Sequence, residues 1–338
     1  MIVRRSARRL SLPGPVATHR SADLRLGGTW SPAQRIKNGV LCSLVWVALW
    51  FARPLPRHAL LRIGFALGRL AFVTLRRARR TALANVARVY PAMTTAERLR
   101  FVRHCFDTLG TLLGDAVALL RLRSDSPNLP VSPHARCLFE EARRAQCAVI
   151  FVSAHLGPWE RVAASLVAAG IPLLTIARES YDPRLTRLYE RLRMLHGVGV
   201  VWRDRPGAAA RIVRALRHGG VLGVPMDLRS RVASCDVDFM GCPAPTPVGP
   251  ARLALRARAR VVVGSVAPAV DGGVEVTATR IETKDLCAGD DGAHVLTERI
   301  NSELSRRILA LPHAWVWMHE RWTNDTVYDG SAMDGASS

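Results

Sequence analysis

The sequence predicts an α/β protein with a mainly parallel central sheet flanked by helices, preceded by a helical region that associates with a membrane. Two observations support this prediction. From about Ala148 onward, short β-rich segments alternate with helical ones, which is the pattern of parallel sheets covered by helices. Before that point lies the uncharged apolar run Gly39–Ala52, which follows a basic segment and is typical of a membrane-associated helix.

The composition limits the class of protein. The 338 residues are 49% hydrophobic, which is enough for one large domain with a substantial core. The 48 Lys and Arg against 27 acids give a net charge of +21, which favours anionic partners. Nucleic acid is not an expected partner, since aromatic residues make up only 6% of the chain and no helix-turn-helix or zinc-finger spacing occurs.

The seven cysteines are scattered and form no CxxC pair. Such a pattern favours neither a disulfide framework nor a zinc site. We therefore expect no metal ligands, and we expect the folded part of the chain to lie in a reducing compartment.

The N-terminal part divides into two predicted segments. Residues 1–38 are poor in acids and contain Pro and Gly, so we predict a flexible basic arm; a transit peptide is the alternative. Residues 39–80 are predicted to be membrane-associated helices that end in the basic cluster Arg76–Arg80. The 14 apolar residues of Gly39–Ala52 are fewer than the ~20 that a full span needs, so spanning is left open. A buried helical hairpin of a soluble protein is the alternative.

Residues 81–322 are predicted to be the α/β domain, followed by a disordered tail at 323–338. A helix is predicted over Thr94–Leu122 from its start signals and periodicity. Strands are predicted at Ala148–Ser153, Pro172–Ala177, Val198–Trp202, Val221–Pro225, Val237–Met240, Arg260–Val266 and Val274–Thr279. The helices predicted between or after them are Pro158–Ala169, Pro183–Leu195, Ala208–Arg217, Pro247–Ala257 and Ala293–Leu311.

The most informative segment is Val149–Glu160, in which an apolar strand changes into a helix. Gly157 permits a sharp turn and Pro158 suits the first helical position. His155 then lies at the carboxyl end of a strand, where open α/β sheets bind ligands, and Glu160 lies in the first helical turn. A carboxylate at one ring nitrogen raises the basicity of the other, which can accept a proton from a hydroxyl. His155 and Glu160 are therefore a candidate catalytic pair, and simple capping roles for the two residues are the alternative that the spacing alone leaves open.

This segment resembles the catalytic stretch H-[FL]-G-N-W-E of the bacterial lipid A biosynthesis lauroyl/myristoyl acyltransferase family, part of the wider H-x4-D/E glycerolipid acyltransferase group. Pro158 replaces the usual Asn. The resemblance extends over residues 40–322. It includes Phe239–Ala254, which matches F-F-G-x-P-A-x-T-x-x-G-x-A-x-L-A, and Trp317–Trp322, which is similar to W-x-H-x-R-[FW].

The resemblance implies a glycerolipid acyltransferase-like fold and a specific chemistry. Such enzymes transfer a fatty acyl group from an acyl carrier protein thioester, or from acyl-CoA, to a hydroxyl of a phosphorylated lipid A precursor. They work at the cytoplasmic face of the bacterial inner membrane and need no metal or other cofactor. His155 is implied as the general base and Glu160 as its orienting partner. The implied substrate-binding residues are Arg178, which would hold a phosphate or the oxyanion, and Arg193, Asp227, Gly241, Thr246 and Arg321.

Two other functions remain open at this point. The acceptor could be a lysophospholipid or another glycolipid, because the usual D-Q-D of the family reads Asp227-Leu228-Arg229 here. A non-catalytic membrane scaffold is the second alternative, and the His155/Glu160 pair argues against it. The length of the acyl chain, the choice of donor and the oligomeric state are not determined by the sequence.

Overall fold

The computed structural model describes residues 28–120, 128–230, 232–269 and 272–322. Residues 1–27 of the predicted arm and the predicted tail at 323–338 lie outside the described residues. The helices are α1 (Pro32–Ala52), α2 (Arg57–Thr74), α3 (Arg76–Val89), α4 (Thr95–Leu119), α5 (Pro133–Arg144), α6 (Trp159–Ala168), α7 (Pro183–Leu195), α8 (Ala208–Arg217), α9 (Gly249–Ala257) and α10 (Asp290–Ala310). The strands are β1 (Val149–Ser153), β2 (Leu173–Ala177), β3 (Gly199–Trp202), β4 (Val221–Pro225), β5 (Ser234–Phe239), β6 (Cys242–Pro247), β7 (Arg260–Pro268) and β8 (Val274–Ile281).

A six-stranded sheet organises the molecule, with the strand order β3-β2-β4-β1-β7-β8. All neighbouring pairs are parallel except β7 and β8, which are antiparallel. The predicted α/β class with a mainly parallel sheet is therefore confirmed. Strand β1 lies in the interior of this sheet between β4 and β7, and four of its five residues are buried. Such burial on both faces explains its continuous apolar sequence.

Strand β6 and helix α5 were not predicted from the sequence. Strand β6 forms a separate antiparallel hairpin with β5 and contains Pro243, Pro245 and Pro247, which argued against a strand. Because side chains and N–H groups alternate along a strand, prolines at every second position leave the missing N–H groups on one side. Met240 and Gly241, at the hairpin turn, both have positive φ angles, as a two-residue type I′ turn requires.

Helix α1 begins earlier than the predicted apolar segment. Ser31 caps it by accepting a hydrogen bond from the backbone N–H of Gln34, whose side chain accepts one from the N–H of Ser31. Residues 32–38 are therefore helical, and the predicted flexible arm does not extend to residue 38. The physical reason is the capping box, which satisfies N–H groups that otherwise fray the first turn.

Helices α1 and α2 expose large apolar side chains, including Val40, Leu44, Trp50, Phe65 and Leu70. Helix α1 has 21 residues, a length of about 30 Å at 1.5 Å per residue, which matches the hydrocarbon thickness of a bilayer. Among the described residues, α1 is long and apolar enough to cross a membrane by itself; α2 and α3 together pass the same test but are bent by 88°. An exposed apolar surface of this size is typical of membrane contact.

Helices α2 and α4 pack at very close range through glycines. Gly64 and Gly68 of α2 face Gly110 and Gly114 of α4, and a Cβ atom added at Gly64 would lie 2.2 Å from the carbonyl oxygen of Gly110. The same distance separates a Cβ at Gly68 from the carbonyl oxygen of Phe106. Glycine at these positions therefore lets the two backbones touch, which fixes helix α2 to the α/β domain.

Candidate active site

The turn after β1 places the imidazole of His155 at the carboxyl edge of the sheet. Gly157 has a φ of +63°, and a Cβ atom there would lie 2.6 Å from Cγ2 of Val266. Both facts favour glycine at this position. The N–H of Gly157 donates to the carbonyl of Ala314 at 3.0 Å, which holds the turn against the C-terminal segment. Helix α6 begins two residues later, at Trp159.

The carboxylate that contacts His155 belongs to Asp227. Strands β1 and β4 pair with Ser153 opposite Pro225, and the N–H of Met226 donates to the carbonyl of Ser153 at 3.1 Å. This register places Asp227 beside His155. Asp227 Oδ1 lies 2.9 Å from His155 Nδ1, and Oδ2 accepts the backbone N–H of His155 at 2.8 Å.

A third donor completes the environment of Asp227. The indole Nε1 of Trp315 donates to Asp227 Oδ2 at 2.8 Å, and Trp315 is itself fully buried against Trp317 with ring centroids 5.0 Å apart. Asp227 has no exposed surface. Buried carboxylates need such donors to remain charged, so this aspartate is fixed in position and ionised.

His155 and Asp227 each shift the pKa of the other. Burial by itself lowers the pKa of His155, but the charge of Asp227 and the hydrogen bond to it outweigh burial, with a smaller contribution from Glu160, so that the pKa is raised. Burial by itself raises the pKa of Asp227, but His155 and the three hydrogen bonds lower it below its ordinary value. An ionised Asp227 at Nδ1 requires the proton to lie on Nδ1. Nε2 of the neutral ring then carries a free lone pair.

Glu160 does not form the predicted hydrogen bond to His155. Its two carboxylate oxygens accept Nη2 and Nε of Arg193 at 2.9 and 3.1 Å, and Nη1 of Arg193 donates to Thr175 Oγ1 at 3.1 Å. The predicted partner is therefore wrong, because the first turn of α6 directs Glu160 toward α7, whereas the strand register brings Asp227 to His155. Both Glu160 and Arg193 line the same cavity as His155.

A cavity of about 1140 Å³ lies next to His155. Its walls are the face of the sheet that carries Phe151 and Thr175, together with Trp159 and Val162 of α6 and Tyr189 of α7. Gly223 of β4 and Gly264 of β7 also line it, and the absence of side chains at these two strand positions leaves room between sheet and helix. A large, partly apolar cavity beside a basic imidazole can hold a lipid substrate.

Cationic side chains line part of this cavity. Arg178, Arg203 and Arg229 all contribute to it. Arg178 and Arg229 are exposed, whereas Arg203 donates to Ser230 Oγ at 2.9 Å. The structure thus places Arg178 at the wall of the cavity, and its predicted role in binding a phosphate or an oxyanion stays a prediction.

Of the other predicted substrate-binding residues, Arg193 lines the cavity and Asp227 contacts His155, whereas Gly241, Thr246 and Arg321 lie away from it. Arg321 is fully buried; it donates to Thr246 Oγ1 at 2.7 Å and to the carbonyl of Pro245, and its guanidinium lies 4.4 Å from the centre of the Phe239 ring. Burial lowers its pKa to about 10. Gly241 lies at the exposed hairpin turn. These residues join the β5–β6 hairpin to the C-terminal segment, and none of Gly241, Thr246 and Arg321 lines the cavity.

Two features of the site were missed from the sequence. Asp115 of α4 accepts hydrogen bonds from both Nε and Nη2 of the buried Arg161 at 2.7 Å, and it also accepts one from Nη2 of Arg57 at 2.6 Å. It therefore holds helix α6 against α4 and α2. His319 lines the cavity, and its buried Nδ1 has no hydrogen-bond partner in the described part of the chain. The Asp115–Arg161 pair spans 46 residues and leaves no spacing signal in the sequence, whereas His319 belongs to the W-x-H-x-R motif but was given no role in the site.

No group of three or more His, Cys, Asp and Glu side chains that could hold a metal ion occurs among the described residues. The expectation that the reaction needs no metal stays a prediction. The residues at the centre of the site are instead an imidazole, a buried carboxylate and several arginines, a set suited to moving a proton and stabilising negative charge.

Comparison with known proteins agrees with this chemistry. Residues 30–324 match the family described as bacterial lipid A biosynthesis acyltransferase. No curated protein matches the chain. The family match covers most of the sequence, including all the elements that build the site. The chain therefore belongs to the bacterial lipid A biosynthesis acyltransferase family and is an enzyme of acyl transfer.

Proposed function

We propose that this enzyme transfers a fatty acyl group from an acyl carrier protein thioester, or from acyl-CoA, to a hydroxyl of a lipid A precursor, with His155 as general base and Asp227 as its positioning residue. The observation that carries the proposal is the 2.9 Å contact between His155 Nδ1 and the buried Asp227 Oδ1 beside a large cavity. The family match supports the acceptor class.

The proton transfers follow from the tautomer. His155 Nε2 takes the proton of the acceptor hydroxyl as the hydroxyl oxygen forms a bond to the thioester carbonyl carbon. Asp227 stabilises the imidazolium through Nδ1–H and does not itself take the proton. The carbon–sulfur bond then breaks, and the leaving thiolate takes the proton back from Nε2. The net result is an ester and a free thiol.

The apolar part of the cavity is a suitable place for the acyl chain. Phe151, Val162, Leu173 and Leu253 contribute apolar surface to its walls. A chain lying between the sheet and α6 would keep its thioester near His155, because His155 and Trp159 line the same cavity and their rings are 5.4 Å apart.

The cationic and membrane-facing parts fit the two substrates. Arg178 and Arg229 line the cavity and are exposed, so they suit the phosphate groups of a lipid acceptor or of the donor's pantetheine arm. The apolar faces of α1 and α2 would place the enzyme on a bilayer. We propose the cytoplasmic face of the inner membrane, where acyl thioester donors are present.

The direct test is an acyl-transfer assay with labelled acyl carrier protein thioester and, separately, with labelled acyl-CoA as the donor. The acceptors are a lipid A precursor and a panel of lysophospholipids, each given to the wild type and to the His155→Ala variant. We expect transfer to the lipid A precursor that is lost in His155→Ala. His218→Ala is a matched control, because His218 is an exposed histidine at the end of α8, and it should keep full activity.

The outcomes separate the alternatives. Retained activity in His155→Ala would exclude the general-base mechanism. Transfer only to a lysophospholipid would keep the chemistry and change the acceptor. No transfer from any donor to any acceptor, with the wild type folded, would favour a non-catalytic membrane scaffold.

A further inference from the structure

A second cleft lies between helices α2 and α4, apart from the active-site cavity. Its volume is about 480 Å³. Two residues that lie one turn apart on α2, Phe65 and Arg69, form one wall. The other wall is one face of α4, with Arg100, Arg103, His104, Asp107, Thr108 and Thr111. No residue of this cleft lines the active-site cavity, so the acyl-transfer chemistry does not account for it.

The cleft carries uncompensated positive charge. Its single carboxylate, that of Asp107, pairs with Nη2 of Arg69 at 2.9 Å. Arg100 and Arg103 are exposed and make no ion pair within the part of the chain that the structure describes. Glu97 interacts electrostatically with Arg100, but its carboxylate accepts hydrogen bonds from the backbone N–H and the hydroxyl of Thr94 at 2.7 and 2.8 Å. Two guanidinium groups are thus left to bind an anion.

The remaining walls of the cleft are held in place. The ring of His104 stacks on His313 with centroids 4.1 Å apart and planes only 9° from parallel. The guanidinium of Arg69 lies over the Phe65 ring at 4.8 Å from its centre. Thr111 Oγ1 donates to the carbonyl of Asp107 at 2.9 Å. These contacts fix groups around Arg100 and Arg103, so that less ordering is needed when an anion binds.

The surroundings of the cleft indicate where the anion comes from. Phe65 lines the cleft and is 40% exposed, and other apolar side chains of α2 outside the cleft, among them Leu67 and Leu70, are 50% and 57% exposed. An apolar helix face beside a basic cleft is the arrangement of a surface that inserts side chains among acyl chains and binds phosphates at the headgroup level. A soluble anion would need no such apolar neighbour.

We propose that the α2–α4 cleft binds the phosphate headgroup of an anionic membrane lipid through Arg100 and Arg103, as an anchoring site distinct from the active site. The arginines contact the phosphate oxygens, for which the guanidinium geometry is suited. Phe65 and the exposed leucines of α2 lie among the acyl chains of the same leaflet.

The test compares two variants that each lose two positive charges. Arg100→Gln/Arg103→Gln removes the cationic groups of the cleft. Arg211→Gln/Arg214→Gln is the matched control, because both arginines are exposed on α8. The full-length proteins are sedimented with phosphatidylcholine vesicles and with vesicles that also contain phosphatidic acid, and they are titrated with short-chain soluble phosphatidic acid and with inorganic phosphate.

We expect the cleft variant to bind phosphatidic acid vesicles about 30-fold more weakly than the wild type, because each of the two arginines contributes about 1 kcal/mol at an anionic surface and 30-fold corresponds to about 2 kcal/mol. We also expect saturable binding of soluble phosphatidic acid by the wild type and the control variant, lost in the cleft variant. Equal losses in the two variants would overturn the proposal, because they would show a general charge effect. Binding of inorganic phosphate as tight as that of the lipid would overturn it as well.

The result is independent of the proposed acyl transfer. Neither arginine lies in the active-site cavity, so we expect the cleft variant to keep its activity toward acceptor dissolved in detergent. Loss of vesicle binding with retained activity supports the anchoring site alone. An inactive wild type that still binds phosphatidic acid through Arg100 and Arg103 would contradict the proposed function and leave the anchoring site standing.

Discussion

Replacing Asp227 by Asn should fix His155 in the wrong tautomer. Asp227 Oδ2 accepts two donors, the backbone N–H of His155 and the indole N–H of Trp315, both at 2.8 Å, while Oδ1 faces His155 Nδ1 at 2.9 Å. An Asn side chain has one acceptor oxygen, which must occupy the Oδ2 position to meet these two donors. Its NH₂ group then donates to Nδ1, so the ring proton moves to Nε2 and blocks the base.

The size of the effect follows from the cost of the alternative orientation. Turning the amide so that its oxygen faces Nδ1 would put an NH₂ group against two N–H donors, and each buried donor left without an acceptor costs about 1–3 kcal/mol. The reactive tautomer is therefore about 2–6 kcal/mol less stable in the variant, which slows the reaction about 30-fold to about 25,000-fold. The corresponding substitution in serine proteases reduces kcat about 10,000-fold.

The assay is single-turnover acyl transfer, combined with ¹⁵N NMR of the imidazole to assign the protonated nitrogen. We expect Nδ1–H in the wild type and Nε2–H in Asp227→Asn, with an unchanged fold by circular dichroism. Asp236→Asn on the exposed part of β5 is the matched control and should retain wild-type rates. A variant with Asn at 227 that keeps Nδ1–H and the wild-type rate would refute the reasoning.

Three further outcomes follow from the structure. Since the pKa of His155 is raised above its ordinary 6.5, log kcat/KM should increase with pH through an inflection above that value, and an inflection at or below 6.5 would contradict the pairing of His155 with Asp227. The charged ring stabilises the fold below pH 6.5, and this contribution is lost as the pH rises through the raised pKa. Glu160→Ala should lower the free energy of unfolding in urea by about 3–5 kcal/mol, because the charge of the partly buried Arg193 loses its carboxylate partner. The inflection of the pH profile should move only slightly to lower pH, and a shift as large as that in Asp227→Asn would restore Glu160 as the partner of His155. Gly68→Ala should destabilise the protein by at least about 1–3 kcal/mol, because the added Cβ clashes with the backbone of α4. Gly39→Ala, with nothing within 4 Å of the added Cβ, should be neutral or slightly stabilising. Equal melting temperatures for the two variants would exclude the close packing of α2 on α4.

The sequence by itself determined the local features of the protein. The alternation of apolar strands and amphipathic helices specified the α/β class, because each period reflects which face of an element is buried. The order of residues from Val149 to Glu160 placed His155 after a buried strand and Glu160 in a first helical turn. The apolar residues of α1 indicated a helix with an exposed apolar surface. Each of these features depends on residues close together in the chain.

Only the tertiary structure decided which groups meet. Asp227 is 72 residues from His155, and the two are neighbours because β4 pairs with β1 in the register that sets Pro225 opposite Ser153. Glu160 was predicted from the sequence as the partner of His155 because it is near in the chain, yet the direction of α6 places its carboxylate against Arg193. Thr246 and Arg321 belong to two separate motifs that match the family, but their burial depends on how the β5–β6 hairpin packs. Strand order and packing depend on long-range burial, which local spacing does not encode.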